Sequence, residues 1–565
     1  MLRRKFLGAA LISAFVIPTF TFAQGTAPAK SVYTAPKSDI DKIRDEGMNR
    51  SLVMQTLSYL TDVIGSRLTG SPNLKRANEW TRDTMTKWGM ANGKLEAWGP
   101  FGRGWALKSF SAEIVDPQTL PVAAFPKAWS PSTKGAITGD VVFVEIKKDE
   151  DFAKYKGQLR GKIVLMSVPR ELKADFGGMG SRMTDDELTK LAAMPDPNDP
   201  NKPAAPAIDF SSPQMAPRIA RFMLGLKMMN FLVEEGAAVA VDNSGGGSGG
   251  TIFVQGADVA QAIPASIMEF FSNPNRLAPQ QKAAEAKMIP QMVVASEDYN
   301  RMIRMINQGV KPKMTVNIQA QYYDEDQMAY NTVAEIPGTD PTLKSELVML
   351  GGHIDSWHAG TGATDNGAGV AVAMEAARII LASGLKPRRT IRVGLWSGEE
   401  QGLFGSSNYV KQHFGDVKGG TNAIGLPDPS GAKPALEKGA DYDKLSAYYN
   451  LDNGTGKIRG VYMQGNAAVR PYFEAWLAPF SDLGAKTLTM SNTGGTDHLS
   501  FDRIGLPGFQ FIQDVIEYDS RTHHSNQDVF DRIQGDDMKQ AATIMAAFVY
   551  QTAMMDEKMP RKEFK

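Results

Sequence analysis

The chain has 565 residues, which is too many for one hydrophobic core, so we expect two or three domains. Its 62 basic and 62 acidic residues cancel and no basic run stands out, which argues against nucleic acid as a partner. There is no cysteine, which excludes disulfides, thiol nucleophiles and cysteine-type zinc sites. Any metal site must therefore be built from histidine, aspartate and glutamate.

Residues 1–23 have the features of an export signal. Arg3-Arg4-Lys5 forms a positive start, and Phe6–Val16 is an apolar stretch too short to span a bilayer. Thr21-Phe22-Ala23 offers small residues at a cleavage site. The paired arginines also resemble a twin-arginine signal. We predict a periplasmic or secreted protein with no membrane segment once the signal is removed.

Two segments with different sequence patterns follow the signal. From Ile40 to about Asn92 apolar residues recur at helix spacing, interrupted by turn residues at Gly65–Pro72, and a strand-rich stretch follows. We assign residues 24–128 to the N-terminal part of the main domain. Between residues 129 and 318 short β-branched runs predict an inserted β-rich domain, with an irregular Pro-rich excursion at 172–217.

Residues 319–565 alternate between strands and helices. Predicted strands cover residues 347–350, 390–396, 445–451 and 509–512, and predicted helices cover 367–383, 402–413, 467–483 and 536–555. This alternation predicts an α/β fold with a mostly parallel mixed sheet flanked by helices. In such sheets ligands bind beyond the carboxyl ends of the strands.

Histidine and carboxylate side chains occur at those strand ends. The candidates are His353, Asp355, Asp365, Glu399, Glu400, Asp452 and His524. Each alone has an ordinary explanation as a turn or surface residue. However, the chain has only six histidines, and two of them follow predicted strands of this sheet. We expect the sheet edge to gather these side chains into one site.

The residue types at this edge fit a hydrolytic zinc site, which uses histidine and carboxylate ligands. Two zinc ions need a bridging carboxylate and further ligands on each side. The chain offers such a set in His353, Asp365, Glu400, Asp452 and His524. Glu399 then remains off the metal as general base for the bridging water. Asp355 is suited to hydrogen-bond the second nitrogen of His353.

These residues form an ordered pattern that resembles a known family. The pattern is His353-x-Asp355, Asp365 before a helix, the Glu pair within Trp396–Gly402, Leu451-Asp452 and His524-Ser525-x-x-Asp528. It is similar to that of the co-catalytic two-zinc aminopeptidases, which include relatives of glutamate carboxypeptidase. The resemblance covers residues 325–550. It implies a zinc-exopeptidase, phosphorylase/hydrolase-like fold, two zinc ions and a peptide substrate.

The resemblance also implies individual roles. Asp365 would bridge the two ions, His353 with Asp452 would complete one site, and Glu400 with His524 the other. The peptide bond after the bridging aspartate is often cis in the family. Residues 129–318 resemble the protease-associated (PA) domain of many members, and residues 40–92 resemble their N-terminal helices.

Two further positions are interpreted through the same resemblance. The residue before the last ligand is often tyrosine in relatives, and here it is His523. We expect His523 to steady the oxyanion, with a packing role as the alternative. Thr496-Asp497-His498 matches a family motif near the substrate, so His498 is expected to line the pocket.

Several functions share parts of this pattern. Amidases and deacetylases of the same clan insert a lid domain between the fourth and fifth ligands, but only one predicted helix and two strands lie between Asp452 and His524. Glutaminyl-cyclase-like enzymes use one zinc, and transferrin-receptor-like binding proteins lose the ligands. We therefore expect an exopeptidase, and an aminopeptidase by analogy alone. Carboxypeptidase and dipeptidase activity, side-chain preference and oligomeric state stay open.

Overall fold

The computed structural model describes residues 32–197, 199, 215–273, 275–420 and 431–564, and the expected signal at residues 1–23 lies outside them. The strands are β1 (Ala91–Trp98), β2 (Gly104–Asp116), β3 (Leu120–Pro121), β4 (Ala124–Pro126), β5 (Ile137–Phe143), β6 (Ile163–Leu165), β7 (Val239–Asn243), β8 (Gln291–Val294), β9 (Lys313–Tyr323), β10 (Ala329–Ile336), β11 (Leu347–His353), β12 (Thr390–Trp396), β13 (Gly415–Lys418), β14 (Ala435–Lys438), β15 (Leu445–Asn450), β16 (Ile458–Tyr462), β17 (Thr487–Thr489) and β18 (Gly508–Gln513).

Helices alternate with these strands. The α-helices are α1 (Lys37–Asn49), α2 (Val53–Ser58), α3 (Pro72–Lys87), α4 (Asp185–Ala192), α5 (Ala216–Glu235), α6 (Ile267–Ser272), α7 (Ser296–Asn307), α8 (Ala368–Ala382), α9 (Phe404–His413), α10 (Arg470–Leu477), α11 (His498–Asp502) and α12 (Gly535–Met554). Shorter helical turns cover Tyr59–Ile64, Asp149–Lys154, Lys282–Lys287, Ala363–Gly367, Tyr442–Lys444, Ala467–Val469, Ala478–Leu483, Tyr518–Thr522 and Phe530–Arg532. None of the described helices is long and apolar enough to cross a membrane.

The main sheet has eight strands in the order β1-β10-β12-β11-β15-β18-β16-β17. Its centre, β12-β11-β15-β18, is parallel, whereas β1 and β10 form an antiparallel edge. Every residue of β11, β15 and β18 is buried, as expected for strands that are covered on both faces. The predicted α/β fold with a mostly parallel mixed sheet is confirmed.

Helices cover both faces of this sheet. On one face α8 packs against α12, and α1 and α2 pack on these two helices. The core there is made largely of small and branched side chains, because α8 and α12 are rich in alanine. On the other face an aromatic cluster joins α9 and α11 to the sheet through Trp396, Tyr409, Tyr448 and Phe501. These layers hold the carboxyl ends of the central strands in fixed positions.

A second eight-stranded sheet has the order β3-β2-β9-β5-β6-β7-β8-β4. It packs α7 on one face and α5 on the other. The sheet begins at Gly104 and not near residue 129, because β2 pairs along its length with β9. The stretch 104–126, which the sequence analysis placed in the main domain, therefore belongs to this second sheet. Its identity as a PA domain stays a prediction.

Candidate metal centre

Four neighbouring parallel strands deliver the candidate side chains to one edge. His353 is the last residue of β11, and Asp452 follows β15 by two residues. Glu399 and Glu400 are the third and fourth residues after β12. His524 follows β18 and the helical turn Tyr518–Thr522. Because these strands are adjacent and parallel, their carboxyl ends place side chains that are distant in sequence within a few ångströms of one another.

Asp365 lies between two groups of candidate ligand side chains. Its Oδ1 is 3.3 Å from Nε2 of His353, and its Oδ2 is 3.2 Å from Nε2 of His524. Nε2 of His353 also lies 3.2 Å from Oδ1 of Asp452. Nε2 of His524 lies 2.9 Å from Oε2 of Glu400. Each oxygen of Asp365 thus faces a different histidine–carboxylate pair, which is the arrangement expected of a bridging ligand.

The turn that carries Asp365 is fixed from several sides. The Asp365–Asn366 peptide bond is cis, as the resemblance implied. The buried carboxylate of Asp528 accepts the main-chain N–H groups of Thr364 (2.6 Å) and Asp365 (3.2 Å). The side chain of Asn366 donates to the carbonyl of Leu451 at 2.8 Å. These contacts orient the carboxylate of Asp365 towards both histidines.

Asp355 contacts both His353 and the turn that carries the two glutamates. Nδ1 of His353 lies 3.0 Å from the main-chain oxygen of Asp355 and 3.6 Å from its carboxylate. The same carboxylate accepts hydrogen bonds from the main-chain N–H groups of Glu399 (3.2 Å) and Glu400 (3.3 Å) and from the hydroxyl of Thr69 (2.9 Å). Asp355 therefore holds the Glu399-Glu400 turn, and its backbone fixes His353.

Arg67 links the N-terminal segment to the site by hydrogen bonds. Its fully buried guanidinium donates to the carbonyls of Ile354 (2.7 Å), Thr361 (2.8 Å) and Gly362 (2.8 Å). These carbonyls belong to the loop between His353 and Asp365. One buried arginine thus ties together the backbone that precedes Asp365.

The site opens into a cleft of about 1140 Å³. Asp365, Glu399, Glu400, Asp452, His523 and His524 are among its lining residues. The ring of His523 stacks on Tyr518, with ring centroids 4.7 Å apart, and its Nε2 is 3.9 Å from Oδ2 of Asp365. His498 does not line the cleft. It begins α11, is fully buried, and contacts the carbonyl of Thr493 at 3.1 Å.

Burial and crowding of like charges shift the pKa values of the site. Burial raises the pKa of Glu399 well above its ordinary value, and it raises the pKa of Glu400 to about 8 with the help of the Asp365 charge. Burial alone would lower the pKa of His524, but Glu400 and Asp365 raise it to about 10. Asp365 shows the opposite shift: although burial disfavours its charge, contacts with His353 and His524 hold its pKa well below normal.

The donor set fits divalent metal ions. His353, Asp365 and Glu400 each present a ligand atom within 4.8 Å of the others, and so do Asp365, His523 and His524. Oε1 of Glu400 is buried and has no hydrogen-bond partner among the described residues. A buried acceptor without a donor is costly unless a cation satisfies it. Imidazole and carboxylate without thiolate suit zinc, and cobalt or manganese fit the same ligands.

The fold and this site together define the class of zinc-exopeptidase-like α/β proteins. Residues 331–549 match the model of peptidase family M28. The family resemblance that the sequence pattern indicated is thereby confirmed.

Three proteins illustrate the similarity. Carboxypeptidase Q of Mus musculus is 31% identical over 273 residues, which are 48% of this chain and 52% of the mouse protein. The chain thus spans about half the length of the curated relatives it matches. A peptidase M28 precursor from Shewanella amazonensis SB2B has a similar structure, with a TM-score of 0.61 and 21% identity over 93% of this chain and 99% of that chain. BSAP, a zinc aminopeptidase from Bacillus subtilis, gives a TM-score of 0.51 and 17% identity over 90% and 96% of the two chains.

Three residues around the site were not predicted as functional. Asp528 lies within the family pattern given above and Arg67 within the segment 40–92, but their sequence context gave no sign that they hold the backbone around Asp365. Gln255 had no sequence signal at all. It lies in the domain of the second sheet, 269 residues from His524, and its side chain contacts that histidine.

Proposed function

We propose that the protein is a two-zinc exopeptidase that hydrolyses the terminal peptide bond of short peptides, most readily as an aminopeptidase. The proposal rests on one observation: the two oxygens of Asp365 face His353 and His524 separately, at 3.3 and 3.2 Å. A shared carboxylate between two histidine–carboxylate pairs is the ligand arrangement of a two-metal site.

The residues divide the chemical work. When bound, zinc ions act as Lewis acids that polarise a carbonyl and lower the pKa of water. Glu399 lies 4.0 Å from Nε2 of His353 and lines the cleft, where it can take a proton from the attacking water and return it to the leaving amine. The carboxylate of Asp355 orients Glu399 by accepting a hydrogen bond from the main-chain N–H of Glu399. His523 lies on the open side of Asp365, where an imidazole N–H can stabilise the developing oxyanion.

Charges in the cleft favour binding of a substrate amine. Besides the metal-site residues, Asp502, Asp519 and Arg503 line it. Asp502 is paired with Lys562 at 2.6 Å, whereas Asp519 is exposed next to Tyr518. Arg503 donates to the carbonyl of Val417 at 3.0 Å. A free amine is therefore better matched than a carboxylate, and Asp519 is the residue we assign to it.

Apolar side chains form another part of the lining: Leu403, Val417, Leu499 and Phe564. They suit a terminal residue with an apolar side chain, because burying such a side chain contributes about 1.5–3 kcal/mol. Carboxypeptidase activity is the second candidate. It is favoured by the position of Arg503 in the cleft and by the similarity to carboxypeptidase Q.

The test uses a hexapeptide with leucine at both ends in free, N-acetylated and C-amidated forms, incubated with zinc-loaded protein and followed by mass spectrometry. An aminopeptidase shortens the free and amidated peptides from the N-terminus and leaves the acetylated one intact. A carboxypeptidase shortens the free and acetylated peptides from the C-terminus. Asp519→Asn should raise KM in the first case, and Arg503→Met in the second. If all three peptides stay intact, the proposal is wrong for peptides of this length.

A further inference from the structure

The metal ligand His524 has a partner on its far side that comes from the other domain. While its Nε2 faces Asp365 and Glu400, its Nδ1 lies 2.9 Å from the side-chain amide nitrogen of Gln255. Gln255 belongs to the chain segment between β7 and β8 of the second sheet. The two domains thus meet at the outer nitrogen of a ligand.

The backbone around this contact is also shared between the domains. The N–H of Val254 donates to the carbonyl of His524 at 3.1 Å, and the N–H of Asn526 donates to the carbonyl of Ile252 at 3.1 Å. Phe253 and Ser525 form an isolated β-bridge. His524 has a φ of 62°, a left-handed conformation that is uncommon for a residue other than glycine. Pairing with residues 252–254 holds the ligand loop in this conformation.

We propose, building on the two-zinc function, that Gln255 is a positioning residue that couples metal binding at His524 to the second domain. A histidine that binds metal through Nε2 carries its proton on Nδ1 and needs an acceptor there. The side-chain amide of Gln255, whose nitrogen lies 2.9 Å from Nδ1, can supply that acceptor through its oxygen when the amide rotates by half a turn.

This assignment predicts how Gln255 should face His524 when metal is bound. In the structure the amide nitrogen of Gln255 is the atom that lies 2.9 Å from Nδ1. With zinc on Nε2, the oxygen of Gln255 turns to accept the Nδ1 proton. Gln255 is exposed, so its nitrogen can then bind water. A glutamate at this position would always present an acceptor to the Nδ1 proton, and a leucine would present none.

The test is a zinc titration of the metal-free, full-length protein against a competing chelator, which does not require peptidase activity. For Gln255→Leu we expect the affinity of one zinc site to fall about 10-fold while the affinity of the other site is unchanged. Loss of a hydrogen-bond partner of a metal ligand lowers affinity by about 10- to 100-fold, and we expect the lower value because Gln255 is exposed. Gln255→Glu should bind zinc at least as tightly as the wild type. Cadmium NMR should show one of two resonances shifted in both variants.

A matched control is Gln158→Leu, which removes another exposed glutamine amide of the same domain that donates to the carbonyl of Lys154. It should leave both zinc affinities unchanged, and thermal melts of the metal-free proteins verify folding. If Gln255→Leu binds both zinc ions as the wild type does, or Gln255→Glu is as weak as Gln255→Leu, the inference is overturned. If the wild type itself binds fewer than two ions, the two-zinc function fails, and the coupling with it.

Discussion

Replacing Asp355 by asparagine tests the support of the proposed general base, Glu399, most directly. The carboxylate accepts hydrogen bonds from the main-chain N–H groups of Glu399 and Glu400 and from the hydroxyl of Thr69. Nδ1 of His353 lies closer to the main-chain oxygen of Asp355 (3.0 Å) than to its carboxylate (3.6 Å), so Asp355→Asn leaves the closer contact of His353 in place. It keeps one acceptor oxygen and turns an NH₂ group towards a main-chain N–H.

The expected cost follows from that donor set. A hydrogen bond to a charged group contributes about 1.5–3 kcal/mol. Asp355→Asn loses one such hydrogen bond and places its NH₂ group against a main-chain N–H, which is also a donor. We expect the free energy of unfolding to fall by about 2–4 kcal/mol. Displacement of Glu399 by even about 1 Å should lower kcat by about 100-fold, with a much smaller change in KM.

The assay is steady-state hydrolysis of leucine peptides by zinc-saturated protein, together with urea unfolding. Thr69→Val is the matched control, because it removes the hydroxyl donor and leaves both main-chain N–H groups on the carboxylate. It should cost about 1.5–3 kcal/mol of stability and leave kcat within about threefold. The reasoning is refuted if Asp355→Asn keeps wild-type kcat and stability, or if Thr69→Val loses as much activity.

The remaining predictions concern the ligands and their neighbours. Glu399→Gln should lower kcat by about 100- to 10,000-fold with both zinc ions still bound, whereas Glu400→Gln should lose a zinc ion in elemental analysis; equal zinc loss in both would contradict their separate roles. His523→Phe keeps a ring stacked on Tyr518 and should lower kcat by about 10- to 100-fold, and full kcat would leave His523 with a packing role. Zinc binding near pH 7 should release protons, because the pKa of His524 in the metal-free protein is raised to about 10. Calorimetry in buffers of different ionisation enthalpy measures this release, and zinc affinity should rise from pH 7 towards 10. In the metal-free protein, the charged form of His524 stabilises the fold fully below its unfolded pKa near ~6.5, and this contribution is lost as pH rises through about 10.

The sequence by itself was sufficient to predict the main sheet and the residues at its edge. A sequence in which apolar strands alternate with helices is compatible with few folds other than a parallel sheet covered by helices. The carboxyl ends of the strands in such a sheet lie along one edge. His353, the Glu399-Glu400 pair and Asp452 lie at strand ends or within four residues of them, so their convergence could be expected. The boundary of the second sheet was less visible, because the pairing of β2 with β9 joins segments about 200 residues apart.

The tertiary structure alone determined the contacts that leave no pattern in the local sequence. Hydrogen bonds to main-chain groups, such as those of Asp355 to Glu399 and Glu400, depend on how two loops approach and not on spacing within either loop. The same holds for the burial of His498 behind the cleft wall and for Gln255 beside His524. Strand order determines which residues reach the edge of the sheet. The approach of separate loops and domains in space determines which partner each of those residues has.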